Sequence, residues 1–213
     1  MTDTLQVQKL IRAVDEADSS AKLLEAVQNL AAVRRSETIP NLIATLGYNN
    51  PGAAVAAVDG LIGIGEPAVE PLLELIDGYN YGARAWAIRA LAGIGDPRAL
   101  NTLLDAAKND FAFSVRRAAA KGLGTIQWHK LSLDEVYHAQ VKCLEALLLV
   151  SQDPEWVVRY AAVVGLQALG MATSVSQSAF LAQICSQLQQ MRQQDESVAV
   201  RARVQMALSQ LQR

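Results

Sequence analysis

One motif returns six times along this 213-residue chain, and a chain built that way has few folds open to it. A leucine embedded in small and apolar residues stands at positions 30, 61, 91, 123, 166 and 208, at intervals of 31, 30, 32, 43 and 42 residues. Its surroundings repeat with it. Leu61 leads into Ile62-Gly63-Ile64-Gly65-Glu66-Pro67 and Leu91 into Ala92-Gly93-Ile94-Gly95-Asp96-Pro97, while the weaker first copy sets Val33 where later copies have Ile64, Ile94 and Ile126. Within a copy the apolar residues fall three and four apart, as one face of a helix requires. Glycine accepts left-handed dihedrals, the acid caps a helix and proline suits a first helical position. Gly-Glu-Pro and Gly-Asp-Pro therefore end one helix and begin a second, read as Pro67 to Ile76 and Pro97 to Ala107, with Leu72, Leu73, Leu75, Leu103 and Leu104 turned inward.

One such helix pair cannot bury its own apolar face, so neighbouring pairs must stack. The expectation is an all-α chain: a right-handed α-solenoid, or superhelix, of about six helix pairs forming a single repeat domain over residues 1–213. Short repeats run to about residue 127 and longer ones from about 128 to 213. The extra length comes from a loop at Trp128–Leu133, a long helix from about Leu133 to Val150, and a Gln-rich helix from Ser174 to Asp195. Helix content should exceed roughly 60%, about twice the globular average.

Composition narrows the function classes. Hydrophobic residues make up 51% of the chain and aromatics 5%, a balance that suits closely packed helices. Nineteen Lys and Arg stand against 21 Asp and Glu, and no basic run appears, so nucleic acid has little to hold. Met1-Thr2-Asp3-Thr4 lacks a signal-peptide pattern and Ala146–Val150 is far too short to cross a bilayer, so a soluble intracellular protein is expected. There is no Walker A loop, nucleophile elbow, CxxC pair or HExxH helix. His129 and His138 are spaced poorly for a shared metal, and no metal site is expected. Cys143 and Cys185 fall at apolar helical positions and read as buried, inert thiols.

Two further regularities carry information. Arg84, Arg116, Arg159 and Arg201 each precede a repeat leucine by seven, and Asp110, Asp153 and Asp195 precede three of those arginines by six. Such acids can cap the following helix and pair with an arginine of their own or a neighbouring copy, a polar ladder between repeats. The turns hold most of the few aromatics: Tyr48, then Tyr79 and Phe111 twelve residues before a repeat leucine, and Tyr81, Phe113 and Trp156 ten before. These either pack on the preceding helix or form a stacking edge for a ligand or partner. Trp86 occupies a place that holds Ala56, Ala118 and Ala161 in other copies and Arg203 in the last, so it either fills a local gap or projects to meet something.

The run from Gly47-Tyr48-Asn49-Asn50-Pro51-Gly52 through Asp77-Gly78-Tyr79-Asn80-Tyr81-Gly82-Ala83-Arg84-Ala85-Trp86 to Pro97 resembles the phycobilin lyases built of HEAT-like repeats. Among these it is most similar to the F-type, smaller subunits of heterodimeric phycocyanobilin lyases. The resemblance covers essentially the whole chain, and Tyr81-Gly82-Ala83-Arg84-Ala85-Trp86 lies in its most specific part. It implies a cyanobacterial, cytoplasmic protein that pairs with a larger E-type subunit. The pair would attach phycocyanobilin through a thioether to a cysteine of the apo-phycocyanin α-subunit, and could also detach or transfer it. The bilin would be substrate, with no permanently bound cofactor. An isomerising branch of the family carries Asn-His-Cys-Gln-Gly-Asn where this chain has Asn49-Asn50-Pro51-Gly52-Ala53-Ala54, which implies attachment without isomerisation.

A bilin brings two propionates, pyrrole N–H groups and flat rings, which call for cations, carboxylates and aromatics. The resemblance therefore points to Asp77 as an acid assisting protonation, and to Tyr48, Asn49, Tyr79, Tyr81, Arg84, Trp86 and Arg89 as residues binding bilin or partner. Two rival functions are a non-catalytic adaptor or chaperone for phycobiliprotein assembly, and a DNA glycosylase of the same repeat type. The near-neutral charge argues against the second.

Overall fold

The computed structural model describes residues 2–76, 81–173 and 178–211, with the side chains of Thr2, Asp3, Tyr81 and Ser178 left out. Among the described residues 84% are helical and none forms a strand. Two compact units emerge, Met1–Ile94 and Gly95–Arg213. The first holds α1 (Thr2–Asp15), α2 (Ser20–Ala32), α3 (Ile39–Leu46), α4 (Pro51–Ile64), α5 (Val69–Ile76) and α6 (Tyr81–Ile94). The second holds α7 (Leu100–Asn109), α8 (Phe113–Leu123), α9 (Leu133–Val150), α10 (Trp156–Ala172), α11 (Ser178–Gln194) and α12 (Val198–Leu211).

Every repeat leucine lies on an even-numbered helix and is at most 3% exposed. In the first unit α2, α4 and α6 pack side by side, and in the second α8, α10 and α12 do the same, so the repeat leucines form a continuous buried row in each. Each even helix also leans on the odd helix before it, and much less on the one after. The order of the motif in sequence, with the leucine helix opening each pair, is thus reversed in the packing. Periodicity marks a helix and its buried face; it does not say which flanking helix will cover that face.

Glycines stand where helices approach most closely. A methyl group on Gly165 of α10 would collide with the Ala120 carbonyl and the Leu147 side chain, and one on Gly124 would strike the backbone of Gly165. Gly65 and Gly95, with φ of 79° and 70°, supply the left-handed residue that ends α4 and α6. Asp96 then caps, accepting the Arg98 N–H at 3.0 Å. A short 3-10 turn intervenes at Glu66–Ala68 and again at Pro97–Ala99, so α5 and α7 begin later than the prolines had suggested. Leu72, Leu103 and Leu104 are buried as expected, whereas Leu73 and Leu75 are only half-buried, because on α5 they flank the buried stripe of Val69, Leu72 and Ile76. α9 does open at Leu133, behind a reciprocal cap between Ser132 and Glu135. No described helix is long and apolar enough to cross a membrane.

Candidate functional site

The arginine and aspartate regularity resolves into a ladder in the second unit. Each aspartate carboxylate accepts the backbone N–H two residues on, at 2.9 Å: Ala112 for Asp110, Glu155 for Asp153 and Ser197 for Asp195. Each arginine clamps the carbonyls of its own turn. Arg116 donates to Asp110 and Phe111, Arg159 to Asp153 and Pro154, and Arg201 to Asp195 and Glu196. The guanidinium then reaches the carboxylate of the next copy in a two-pronged grip. Arg116 meets Asp153 at 2.7 and 3.1 Å, and Arg159 meets Asp195 at 2.8 and 3.0 Å. Arg159 is only 8% exposed. Burial pushes the Asp195 carboxyl up, but the Arg159 hydrogen bond, the Ser197 N–H and the nearby arginine charges outweigh it and hold the group below its usual range. A fully paired, buried set of this kind fixes repeat spacing and leaves no free valence for chemistry.

A second buried carboxylate, Asp96, sits behind the cap of the turn after α6. Arg98 grips it at 2.9 and 3.2 Å, and Lys130 reaches it at 2.9 Å from the 3-10 turn Trp128–Lys130. The Arg98 and Lys130 contacts hold Asp96 far below the ordinary carboxylate range despite its burial. The loop that broke the repeat pattern thus supplies a structural lysine, which sequence spacing gave no reason to suspect.

The first unit presents an open face along α2, α4 and α6. A groove of about 220 Å³ runs beside Gln28, Ala31, Gly52, Val55, Ala56 and Asp59, residues of α2 and α4. On the next helix, α6, the place equivalent to Ala56 is taken by half-buried Trp86. Arg89 lies one turn on, exposed, with its guanidinium carbon 5.7 Å from the Trp86 ring centre, inside cation–π range. Small side chains on α4 beside a large indole and a cation on α6 make a shelf suited to a flat, anionic molecule. Arg84 is half-buried in the same helix at the register of the ladder arginines. Among the sequence candidates, then, Trp86 and Arg89 meet on one face. Asp77 and Tyr79 lie outside the described residues, as does the side chain of Tyr81.

Tyr48 and Asn49 stand elsewhere, exposed in the turn before α4. The structural work of that turn falls to the next residue. The Asn50 side chain accepts the Ala53 N–H at 3.1 Å and donates at 3.0 Å to the carbonyl and hydroxyl of Ser20, tying the start of α4 to α2. In the second unit the helix-starting residues Phe113, Trp156 and Val198 are 49%, 47% and 70% exposed, and Phe111 is 80% exposed. Phe111, Phe113 and Trp156 stay exposed, and with Val198 they form an apolar edge along the starts of α8, α10 and α12. His129 and His138 are both exposed. Cys143 is fully buried, and burial pushes its thiol up to about 12. Cys185 is only half-buried, contrary to expectation, because its place on α11 sits at the margin of the core stripe formed by Ile184 and Leu188; burial raises it as well. Among the described residues no cluster of three metal-capable side chains occurs.

Comparison with known proteins agrees with this picture. Residues 69–148 match the HEAT repeats. The chain is 60% identical to the phycocyanobilin lyase subunit beta of Pseudanabaena tenuis over 213 residues, all of this chain and 75% of that one. It is 57% identical to the phycocyanin alpha phycocyanobilin lyase CpcF of Synechocystis sp. over 78% of each chain. Among solved structures it resembles a chain in the complex of CpcE and CpcF of phycocyanin lyase from Nostoc sp., with 53% identity and a TM-score of 0.74 over 81% of this chain and 99% of that one.

Proposed function

Because this chain belongs to the phycocyanobilin lyase family, as a smaller F-type subunit built of HEAT repeats, we propose that it forms one half of a heterodimeric lyase. With the E-type subunit it joins phycocyanobilin through a thioether to a cysteine of the apo-phycocyanin α-subunit. It does so in the cyanobacterial cytoplasm and without isomerising the bilin. The observation that carries the reading is identity of 60% along every residue of the chain with a lyase subunit of that kind.

The chemistry asks little of the enzyme's own side chains. The acceptor cysteine is the nucleophile and the ethylidene carbon of the bilin is the electrophile. The sulfur–carbon bond forms, the electron pair passes into the conjugated tetrapyrrole, and the proton released by the thiol ends on the ring system. The net result is addition of S–H across a double bond, with no oxidant or reductant. Holding two such partners in line is worth several kcal/mol, about 7–11 at the ideal limit. A chain whose fully buried thiol is pushed up to about 12 and whose open face offers an indole, a cation and a groove suits positioning better than covalent catalysis. In this reading Trp86 and Arg89 hold bilin or partner. Asp77, Tyr79, Tyr81, Arg84, Tyr48 and Asn49 are assigned to the same task, with Asp77 helping to keep the pyrrole nitrogens protonated.

The test is reconstitution. The chain, its E-type partner, phycocyanobilin and apo-acceptor are mixed and the acceptor is run on a denaturing gel. Bilin colour that stays with the acceptor only when both subunits are present supports the proposal. A bilin that is bound but never covalently attached makes the protein an adaptor, and a product with an isomerised chromophore contradicts the non-isomerising assignment.

A further inference from the structure

The leucine-bearing helices of the second unit are charged in one sense only. α8, α10 and α12 contain Arg116, Arg117, Lys121, Arg159, Arg201 and Arg203, and not one Asp or Glu. In a chain of net charge −2 this is a local inversion of sign. Arg116, Arg159 and Arg201 are consumed by the ladder at the helix starts. Arg117, Lys121 and Arg203 are not: none of them has a carboxylate partner among the described residues. Arg117 and Lys121 are exposed and need none. Arg203 is different.

Arg203 takes the register of Trp86 in the last copy, where Ala118 and Ala161 stand on the neighbouring helices. It is half-buried. Among the described residues its side chain donates to the side-chain oxygen of Gln167 on α10, at 2.5 Å, and Gln167 is itself 9% exposed and bonded on its amide side to Gln210. Gln167 thus aims the guanidinium without neutralising it. Tyr160, 37% exposed on α10, lies near enough to interact with Arg203 electrostatically, and Met206 is 58% exposed one turn further along α12. Burial pulls the Arg203 guanidinium below the ordinary arginine range, the opposite of the acid-paired Arg116 and Arg159. A partly desolvated cation, oriented by a neutral amide and with no carboxylate partner among the described residues, has the chemistry to accept an anion.

We propose that Arg203, positioned by Gln167 and flanked by Tyr160 and Met206, receives a propionate carboxylate of the open-chain tetrapyrrole. Arg117 and Lys121 supply the positive field that draws the dianion onto this face. The assignment rests on the lyase reading above and extends it to a part of the chain that the aromatic-rich turns had not marked. An acidic surface of a protein would need several exposed cations in a spread; the recessed guanidinium beside a ring fits one carboxylate on a flat conjugated body, which Arg grips through two parallel N–H donors.

The heterodimer is titrated with phycocyanobilin and separately with its dimethyl ester, which has the same rings and no carboxylates, and binding is read from the bilin absorption band. The unaltered heterodimer should bind the free acid about tenfold more tightly than the ester, the scale of one charge-assisted contact. Arg203→Gln should remove most of the acid's advantage and leave the ester unchanged, raising KM for bilin several-fold with kcat largely kept. Arg203→Lys should restore part of the difference. Exposed Arg117→Gln with Lys121→Gln, which no fold depends on, should weaken the acid a few-fold and flatten its salt dependence. The proposal is overturned if acid and ester bind alike, if Arg203→Gln weakens both equally, or if it raises KM for the apo-acceptor instead. Should Arg203→Gln unfold, the acid–ester comparison and the exposed double variant still decide. Absence of covalent product from the unaltered heterodimer would be a failure of the lyase reading, whereas normal product with no acid–ester difference fails only Arg203.

Discussion

Trp86 stands where neighbouring copies carry alanine, and its half-buried indole under Arg89 marks it as a contact surface more than a core filler. Trp86→Ala should therefore cut bilin transfer at least tenfold, equivalent to about 1.4 kcal/mol of transition-state binding. Melting should shift little, since truncations away from the core rarely cost much. A large fall in melting temperature with transfer intact would make Trp86 a packing residue after all. Cys143→Ala together with Cys185→Ser should leave transfer unchanged in the same gel assay, because the acceptor supplies the sulfur; lost transfer with fold intact would reveal a covalent intermediate on this chain. At this scale the sequence was legible where residue type and period coincide. The six leucines and the ladder arginines announced themselves because a buried row and a polar row each repeat. Lys130 at Asp96, in a loop outside the period, did not. Nor did the setting of Arg203, since nothing in the register says that a glutamine one helix away will hold it.

Between elements, contacts fall into two kinds with different failure modes. Gly165 lets α10 lie against α8, and Gly165→Val should force the helices apart, destabilising the second unit by about 1–3 kcal/mol, the usual cost of overpacking, read as a lower denaturant midpoint. The ladder fails differently. Arg159→Ala leaves the Asp195 side chain, 4% exposed, without its guanidinium, and removal of one partner of a buried pair costs about 3–5 kcal/mol. Acid should act on the same groups. Asp96 and Asp195 are held below their unfolded values, so their contribution is complete above about pH 4, the range of an unfolded aspartate, and fades as pH falls below it. Thermal stability should be flat from about pH 5 to 8 and drop below about pH 4, with a smaller acid loss in Arg159→Ala. An unchanged loss in that variant would remove the ladder from the acid response. The sequence could offer the ladder with two possible partners for each acid, an arginine of its own copy or of a neighbouring one. Only packing chose, joining Arg116 and Arg159 each to the carboxylate of the next copy and to the carbonyls of its own turn.

For the molecule as a whole, the question is what covers the surface its own helices leave open. Phe111, Phe113, Trp156 and Val198 line one edge of the second unit, while Leu133 and Leu149 on α9 are 90% and 58% exposed. Scattered apolar residues are ordinary on any surface, but a row at equivalent places on successive packed helices is a patch, and patches of that kind are partner sites. An aromatic edge also resists dilution into solvent, so a chain lacking its partner should satisfy it by self-association. We therefore expect this chain alone to elute from gel filtration as a broad, concentration-dependent distribution, and with the E-type subunit as a single 1:1 species by light scattering. Phe113→Ser with Trp156→Ser should sharpen the lone chain toward monomer, because both positions are half-exposed and outside the core. The same pair should weaken the heterodimer, and with it transfer, if the edge is where the subunits meet. A lone chain that is monodisperse at all concentrations and ignores the E-type subunit would defeat the argument. A double variant that sharpens the lone chain yet keeps the heterodimer intact would move the interface elsewhere, leaving the edge to the acceptor protein.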